Sequence, residues 1–157
     1  MLYLVATRFN NKTWNENRRW HKNKNEDETY YGFPRVITNK IPINAIIFIF
    51  EMNNDTNEII GISLIRNRRL IGIKCIIYDD NNYNRFIYKT KYRIDRELLK
   101  EKNLDFIKKF DLLLFKGKSH LKRGQGVTII PPKLLNTTNY NNESVLKNIF
   151  VEHFNSK

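Results

Sequence analysis

Apolar residues along this chain fall into short blocks separated by Asn-rich polar stretches, a spacing that predicts more strands than helices. Residues 2–7 are apolar and β-branched enough for a first strand. Residues 45–50 and 58–65 predict two more, and Asn53-Asn54-Asp55-Thr56-Asn57 between them has pure turn chemistry, so the pair predicts a hairpin. The first of the two is apolar on both faces, which predicts a central strand covered on two sides. Residues 70–78 and 85–94 predict strands on either side of the turn-like Asp79-Asp80-Asn81-Asn82. Short strands are expected at 112–115 and 127–130, the second ended by Pro131-Pro132.

Helical spacing shows in two places. Asp95 has the chemistry of an N-cap for a helix over 96–110, with Glu97 in its first turn and Leu99, Phe106, Ile107 and Phe110 on one face. A last helix over 143–154 carries Val145, Leu146, Ile149, Phe150 and Phe154 on one stripe. Residues 8–24 predict a long loop or short helix bearing exposed aromatics, followed by a solvated acidic patch at Glu26-Asp27-Glu28. There is no internal repeat and no linker. The expectation is a single domain over 1–157 of α+β class: a mostly antiparallel, closed or nearly closed β-barrel with two or three peripheral helices.

Charge sharpens this picture. The 157 residues carry 28 Lys+Arg against 16 Asp+Glu, a formal net charge of +12. A compact domain with that excess repels itself, so a polyanionic partner is the usual reason for it. The chain is also rich in Asn, Ile and Lys, the residues that A·T-rich codons specify. That usage fits a large DNA virus or an A·T-rich protist, and accounts for part of the excess. Cys75 is the lone cysteine, so no intramolecular disulfide can form, and its apolar neighbours make it a small buried hydrophobe. No run approaches a membrane span, and Met1 to Ala6 lacks the basic start of a signal peptide. An intracellular location, cytoplasmic or nuclear, is expected.

Catalytic and cofactor motifs are mostly absent. There is no phosphate-binding loop of the Gly-x4-Gly-Lys-Ser/Thr type and no dinucleotide fingerprint. His21, His120 and His153 lie far apart without ligand-spaced partners, so neither a metal nor a cofactor is expected. What remains is a binding constellation in three parts. Trp14 and Trp20 sit among Lys12, Arg18, Arg19 and Lys22, and read either as stacking faces beside phosphate-attracting charges or as core plugs. Residues 115–126 pack Lys116, Lys118, Lys122 and Arg123 with Gly117, Gly124 and Gly126 and no acid, alongside Ser119, His120 and Gln125. They read either as a phosphate-facing rim or as an exposed basic turn. Arg66-Asn67-Arg68-Arg69 supplies guanidinium groups suited to phosphate or guanine, and an amide suited to a base edge, or it is a solvated turn.

The order of these features resembles the PUA-like superfamily, its EVE and YTH branches above all, with ASCH-like domains nearby. A first strand leads to a Trp/Arg segment and then to Gly32-Phe33-Pro34-Arg35. A very apolar strand, a polar turn and Ile59-Ile60-Gly61-Ile62 follow. Ile43-Asn44 stands where the family usually has Gly-Asp, and Lys122-Arg123-Gly124-Gln125-Gly126 where EVE barrels end on an Arg-x-Ser-like element. The resemblance implies RNA or DNA binding, with a modified or flipped base held between aromatics. Trp14 and Trp20 would then be the cage walls. The residues themselves add Arg35 and Arg66 to the expected binding set, Asn67, Ser119 and Gln125 as polar readout, and His120 as a hydrogen-bonding partner of solvent or phosphate. Two other classes stay open. One is a base amidohydrolase or ribonuclease pairing His120 or Lys116 with Glu51 or Asp79. The other is a basic domain that binds an acidic protein.

Overall fold

A computed structural model describes residues 2–24 and 27–156, so the acidic patch lies outside the described residues at Glu26. Strand β1 (Leu2–Phe9) leads into helix α1 (Asn11–Lys24) and strand β2 (Thr29–Phe33). Strands β3 (Ile46–Asn53) and β4 (Glu58–Arg66) form the expected hairpin. Then come a 3-10 turn (Asn81–Asn84), β5 (Phe86–Thr90), β6 (Tyr92–Asp95), α2 (Arg96–Phe115), β7 (Val127–Ile129), the short α3 (Pro132–Leu135) and α4 (Asn142–Asn155).

Five strands make one sheet in the order β6-β4-β3-β1-β7, while β2 and β5 pair separately. The β1–β3 pair is parallel and the others are antiparallel. The expected barrel is therefore corrected to an open mixed sheet: among the described residues β6 and β7 remain as edges, and the β2–β5 ribbon packs over one face instead of closing the ring.

Strand alternation explains the two cores. Leu4 and Ala6 of β1 with Phe48, Phe50 and Met52 of β3 face α2 and α4, where Phe50 stacks on Phe110 at 4.5 Å between ring centres. Val5 and Phe9 with Ile47 and Ile49 face the ribbon, α1 and the 70–78 segment. Successive side chains point to opposite faces of a strand, so β3 is covered on both sides, as its unbroken apolar run predicts. A bulge at Glu51/Met52 pairs Glu51 with Gly61 but Met52 with Ile59.

Three local expectations are corrected. Residues 112–115 are the last turn of α2, because Phe106, Phe110 and Leu114 continue one buried helical stripe to the glycine at 117. Residues 70–78 form no ladder; Gly72 takes a φ of +75°, and the amides of Ile77 and Tyr78 donate to Asn84 Oδ1. The predicted strand over 85–94 splits at Lys91, its first part joining β2 and its second joining β4. Asp95 does cap α2, and β2, rich in aromatics but interrupted by Gly32, is a strand the sequence pattern missed.

Candidate nucleic-acid interface

Phe9, at the end of β1, begins one wall of a cavity of about 380 Å³. Gly32, Phe33 and Pro34 at the end of β2 continue it, Tyr78 and Tyr83 close one side, and Asn54 and Asp55 of the β3–β4 turn lie opposite. Gly124, Gln125 and Gly126 of the basic loop form the remaining rim. A volume of roughly 300–1,000 Å³ is what small organic ligands occupy, so one nucleotide-sized group fits.

The wall depends on local backbone chemistry. A Cβ on Gly32 would lie 2.3 Å from the Tyr83 carbonyl oxygen, so only glycine lets the 3-10 turn press against β2. Gly124 and Gly126 take φ values of +103° and +70°, the left-handed region that glycine adopts without strain. Arg8 and Asn54 then clasp the loop. Arg8 donates to the carbonyls of Leu121 (3.2 Å) and Gly126 (3.1 Å) and to Thr128 Oγ1 (2.9 Å). Asn54 Nδ2 donates to the Lys122 carbonyl at 2.8 Å. Arg8 Nε and Asn54 Oδ1 are buried with no partner among the described residues, and burial lowers the proton affinity of the Arg8 guanidinium. Two lining residues thus hold unspent hydrogen-bonding capacity, which buried polar groups seldom do.

The basic loop meets this cavity, and other predicted residues do not. Lys116, Lys118, Ser119 and Arg123 are exposed, and Lys122 is half-buried. His120 accepts from the Lys122 amide through Nδ1, while Gln125 donates to the Tyr83 hydroxyl at 3.4 Å. Arg35 is exposed directly after the lining residue Pro34. Arg19 is exposed on α1. Arg66 is exposed at the far end of β3–β4 and donates to the Asn44 carbonyl. Asn67 beside it is 4% exposed and spends both amide hydrogens on the Ile41 and Pro42 carbonyls. It clamps a loop, so the expectation that it reads a base edge is corrected.

The two tryptophans do not form a cage. Trp14 packs edge-on against Phe9 at 5.1 Å between ring centres, with the guanidinium of Arg18 at 4.4 Å and that of Arg93 at 5.0 Å. It touches the cavity only by backing Phe9. Trp20 packs edge-on against Tyr30 at 4.7 Å. Both belong to the core between α1 and the ribbon, because α1 buries an aromatic side in place of an aliphatic one.

Beneath α1 lies a sealed polar network. Glu51 is 0% exposed and takes a paired contact from Arg93, at 2.7 Å from Nη2 and 3.0 Å from Nε. Tyr31 donates its hydroxyl to Glu51 and accepts from Ser63. Gly61 makes room: a Cβ there would lie 2.6 Å from Arg93 Nη2. Burial pushes the Glu51 carboxyl up, but the Arg93 charge with hydrogen bonds from Arg93 and Tyr31 outweighs it and holds the carboxyl below its ordinary value. Burial and the Glu51 charge push Tyr31 well up. Asn17, buried in α1, donates to the Tyr30 carbonyl and the Tyr78 hydroxyl, both at 3.0 Å, and so fixes a cavity wall.

The pairing a hydrolytic site needs is not assembled. Glu51 is committed to Arg93, Asp79 pairs with Lys12 at 3.3 Å, and neither meets His120 or Lys116. No group of three metal-ligating side chains occurs among the described residues, and no helix there is long and apolar enough to cross a membrane. The lining residues Arg8, Phe9, Phe33, Asn54, Tyr78 and Tyr83 are absent from the sequence-based set. The pointers to them were Gly32-Phe33-Pro34 and the Asn-rich turn after β3.

No family model matches the chain, and no curated protein matches it. Among solved structures, the chain is similar to the N-terminal domain of Thermococcus gammatolerans McrB bound to m5C DNA, at 9% identity and a TM-score of 0.41, over 94% of this chain and 98% of that one.

Proposed function

We propose that this chain binds nucleic acid and takes one unstacked base, plain or modified, into the cavity between β1, β2 and the basic loop. The observation that carries this reading is an aromatic wall completed by the backbone of the basic loop: Phe9, Phe33, Tyr78 and Tyr83 line the same cavity as Gly124–Gly126. Lys122 and Arg123 precede that backbone, and Arg35 follows the lining residue Pro34. Aromatic faces stack on any base, and cations on the rim attract the flanking phosphates. Gln125, exposed on the rim, is the polar group that would read the base edge. A methyl on that base would gain from displacing water against the aromatic wall.

The test measures fluorescence anisotropy of labelled duplexes against salt, matched and with one central mismatch. A mismatched base costs less to extrude, so a base-extruding protein prefers it. Wild type is expected to bind the mismatched duplex more tightly, with affinity falling as salt rises. Tyr83→Ala should erase the preference, at a cost of roughly 1–3 kcal/mol for the lost stacking. Lys122→Ala/Arg123→Ala should weaken both duplexes alike. Salt-independent binding, or a preference that survives Tyr83→Ala, would overturn the reading. Repeating the mismatch series with methylated cytosine and adenine identifies the base.

A further inference from the structure

A second cavity, about 390 Å³, opens at the opposite end of the sheet. Its floor is apolar: Ile46 begins β3, Leu64 and Ile65 lie just before the end of β4, and Leu70 and Tyr92 line it too. The base cavity meets the other end of β3, beyond Asn53. At about 3.3 Å per residue, the two ends of that eight-residue strand lie roughly 23 Å apart. The groove is therefore separate from the proposed base site, and nothing bound in one need touch the other.

Its rim is cationic. Arg66, Arg68, Lys89 and Lys91 line the groove against one acid, Glu28, which is already paired with Lys89 at 3.2 Å. Arg66, Arg68 and Lys91 form no ion pair among the described residues. Two loops beside the groove also expose large apolar side chains, Ile43 at 75% and Ile71 at 81%, while Tyr92 in the groove is 49% exposed. The loops are held together: the Asn44 amide donates to the Asn67 carbonyl at 3.0 Å and the Asn67 amide to the Ala45 carbonyl at 2.8 Å. The apolar surface is thus on a braced frame.

We infer that this groove docks an acidic peptide segment of a protein partner, with an apolar side chain seated on Leu64, Ile65 and Tyr92 and carboxylates on Arg66, Arg68 and Lys91. Charge complementarity chooses the occupant. A second copy of this chain would bring its own +12 to the contact and repel. A nucleic-acid backbone satisfies the cations but leaves the apolar floor unfilled, and a flat lipid surface cannot enter a concave site. A peptide of alternating acidic and apolar residues satisfies both chemistries.

The experiment pans a displayed library of random twelve-residue peptides against the full chain, with Arg68→Glu/Lys91→Glu as counter-selection. Enriched peptides should combine Asp or Glu with Leu, Ile or Phe, and should lose at least tenfold in affinity for the charge-reversed variant. Amide chemical shifts should move at Leu64, Ile65 and Tyr92 and stay unchanged at Gly124–Gly126. Enrichment without acidic residues, or peptides that bind the reversed variant equally well, would overturn the proposal. So would no enrichment at all, or binding to phosphatidylserine vesicles or duplex DNA that the same reversal abolishes. Duplex binding lost in Lys122→Ala/Arg123→Ala but kept in Arg68→Glu/Lys91→Glu separates this groove from the base site, so each proposal can fail alone.

Discussion

The network beneath α1 and the cavity beside the basic loop use the same kinds of side chain to opposite ends. Both contain an arginine and polar groups from several elements. Under α1, Arg93 donates to Glu51 through Nε and Nη2 and to Asp95 through Nη1, Tyr31 donates to the Glu51 carboxylate, and Ser63 donates to Tyr31. At the cavity, Arg8 binds only carbonyls and a hydroxyl, its Nε and Asn54 Oδ1 have no partner, and the adjoining loop has no acid to neutralise it. A network that closes on itself supports structure. A concave surface with an acid-free basic loop beside it is available to a ligand.

The largest effect should come from opening the closed network. Arg93→Met leaves Glu51 buried and unpaired, and should cost about 3–5 kcal/mol in urea unfolding. A loss below about 1 kcal/mol would mean that solvent already reaches Glu51. Trp14→Ala comes next. The ring is half-buried against Phe9, so a loss near the lower end of the roughly 3–5 kcal/mol seen for large aromatics is expected, with the preference for the mismatched duplex unchanged. A lost preference would move Trp14 back into the interface.

Lys122→Ala/Arg123→Ala is the converse case. Unfolding free energy should stay within about 0.5 kcal/mol, as for ordinary surface sites. The slope of log affinity against log salt should fall by about 2, near 0.9 for each lost phosphate contact. The smallest effect concerns acid. His21 accepts from the Tyr30 amide through Nε2 at 2.6 Å, and its Nδ1 lies 2.7 Å from the Asn17 carbonyl. Burial holds its folded-state proton affinity below the ordinary 6.5. The unfolded chain therefore binds the extra proton first, and stability should be flat above pH 6.5 and fall as pH drops below it. His21→Gln should remove this component, so thermal midpoints of the two proteins converge on acidification. Parallel curves would exclude His21 as its source.

Much of the scaffold was legible. The β3–β4 hairpin followed from two apolar runs around an Asn-rich turn, and α2 and α4 from helical spacing with Asp95 as a cap. Where reading failed, a short apolar run had two solutions. Leu112 to Phe115 completes a helix because its stripe registers with Phe106 and Phe110, and residues 70–78 join no ladder, Gly72 taking a left-handed turn and Asn84 taking the Ile77 and Tyr78 amides. The tryptophans looked like a binding site because they are the aromatics of the most basic segment. Yet a helix sends its side chains in all directions, and Phe9, Tyr30 and Arg93 claimed theirs.

The basic loop's composition, the net charge, the central position of β3 and the cap of α2 are properties of neighbouring residues or of sums, so the sequence alone determines them. Which aromatics face the loop is a different kind of fact. Phe9, Phe33, Tyr78 and Tyr83 come from four separate segments, brought together by a glycine at 32 and by contacts that span more than a hundred residues from Arg8 to the loop. Which carboxylate is neutralised, which arginine is sealed and which asparagine is spent likewise depend on burial and on partners distant in the chain. Those are quantities that only packing in three dimensions assigns.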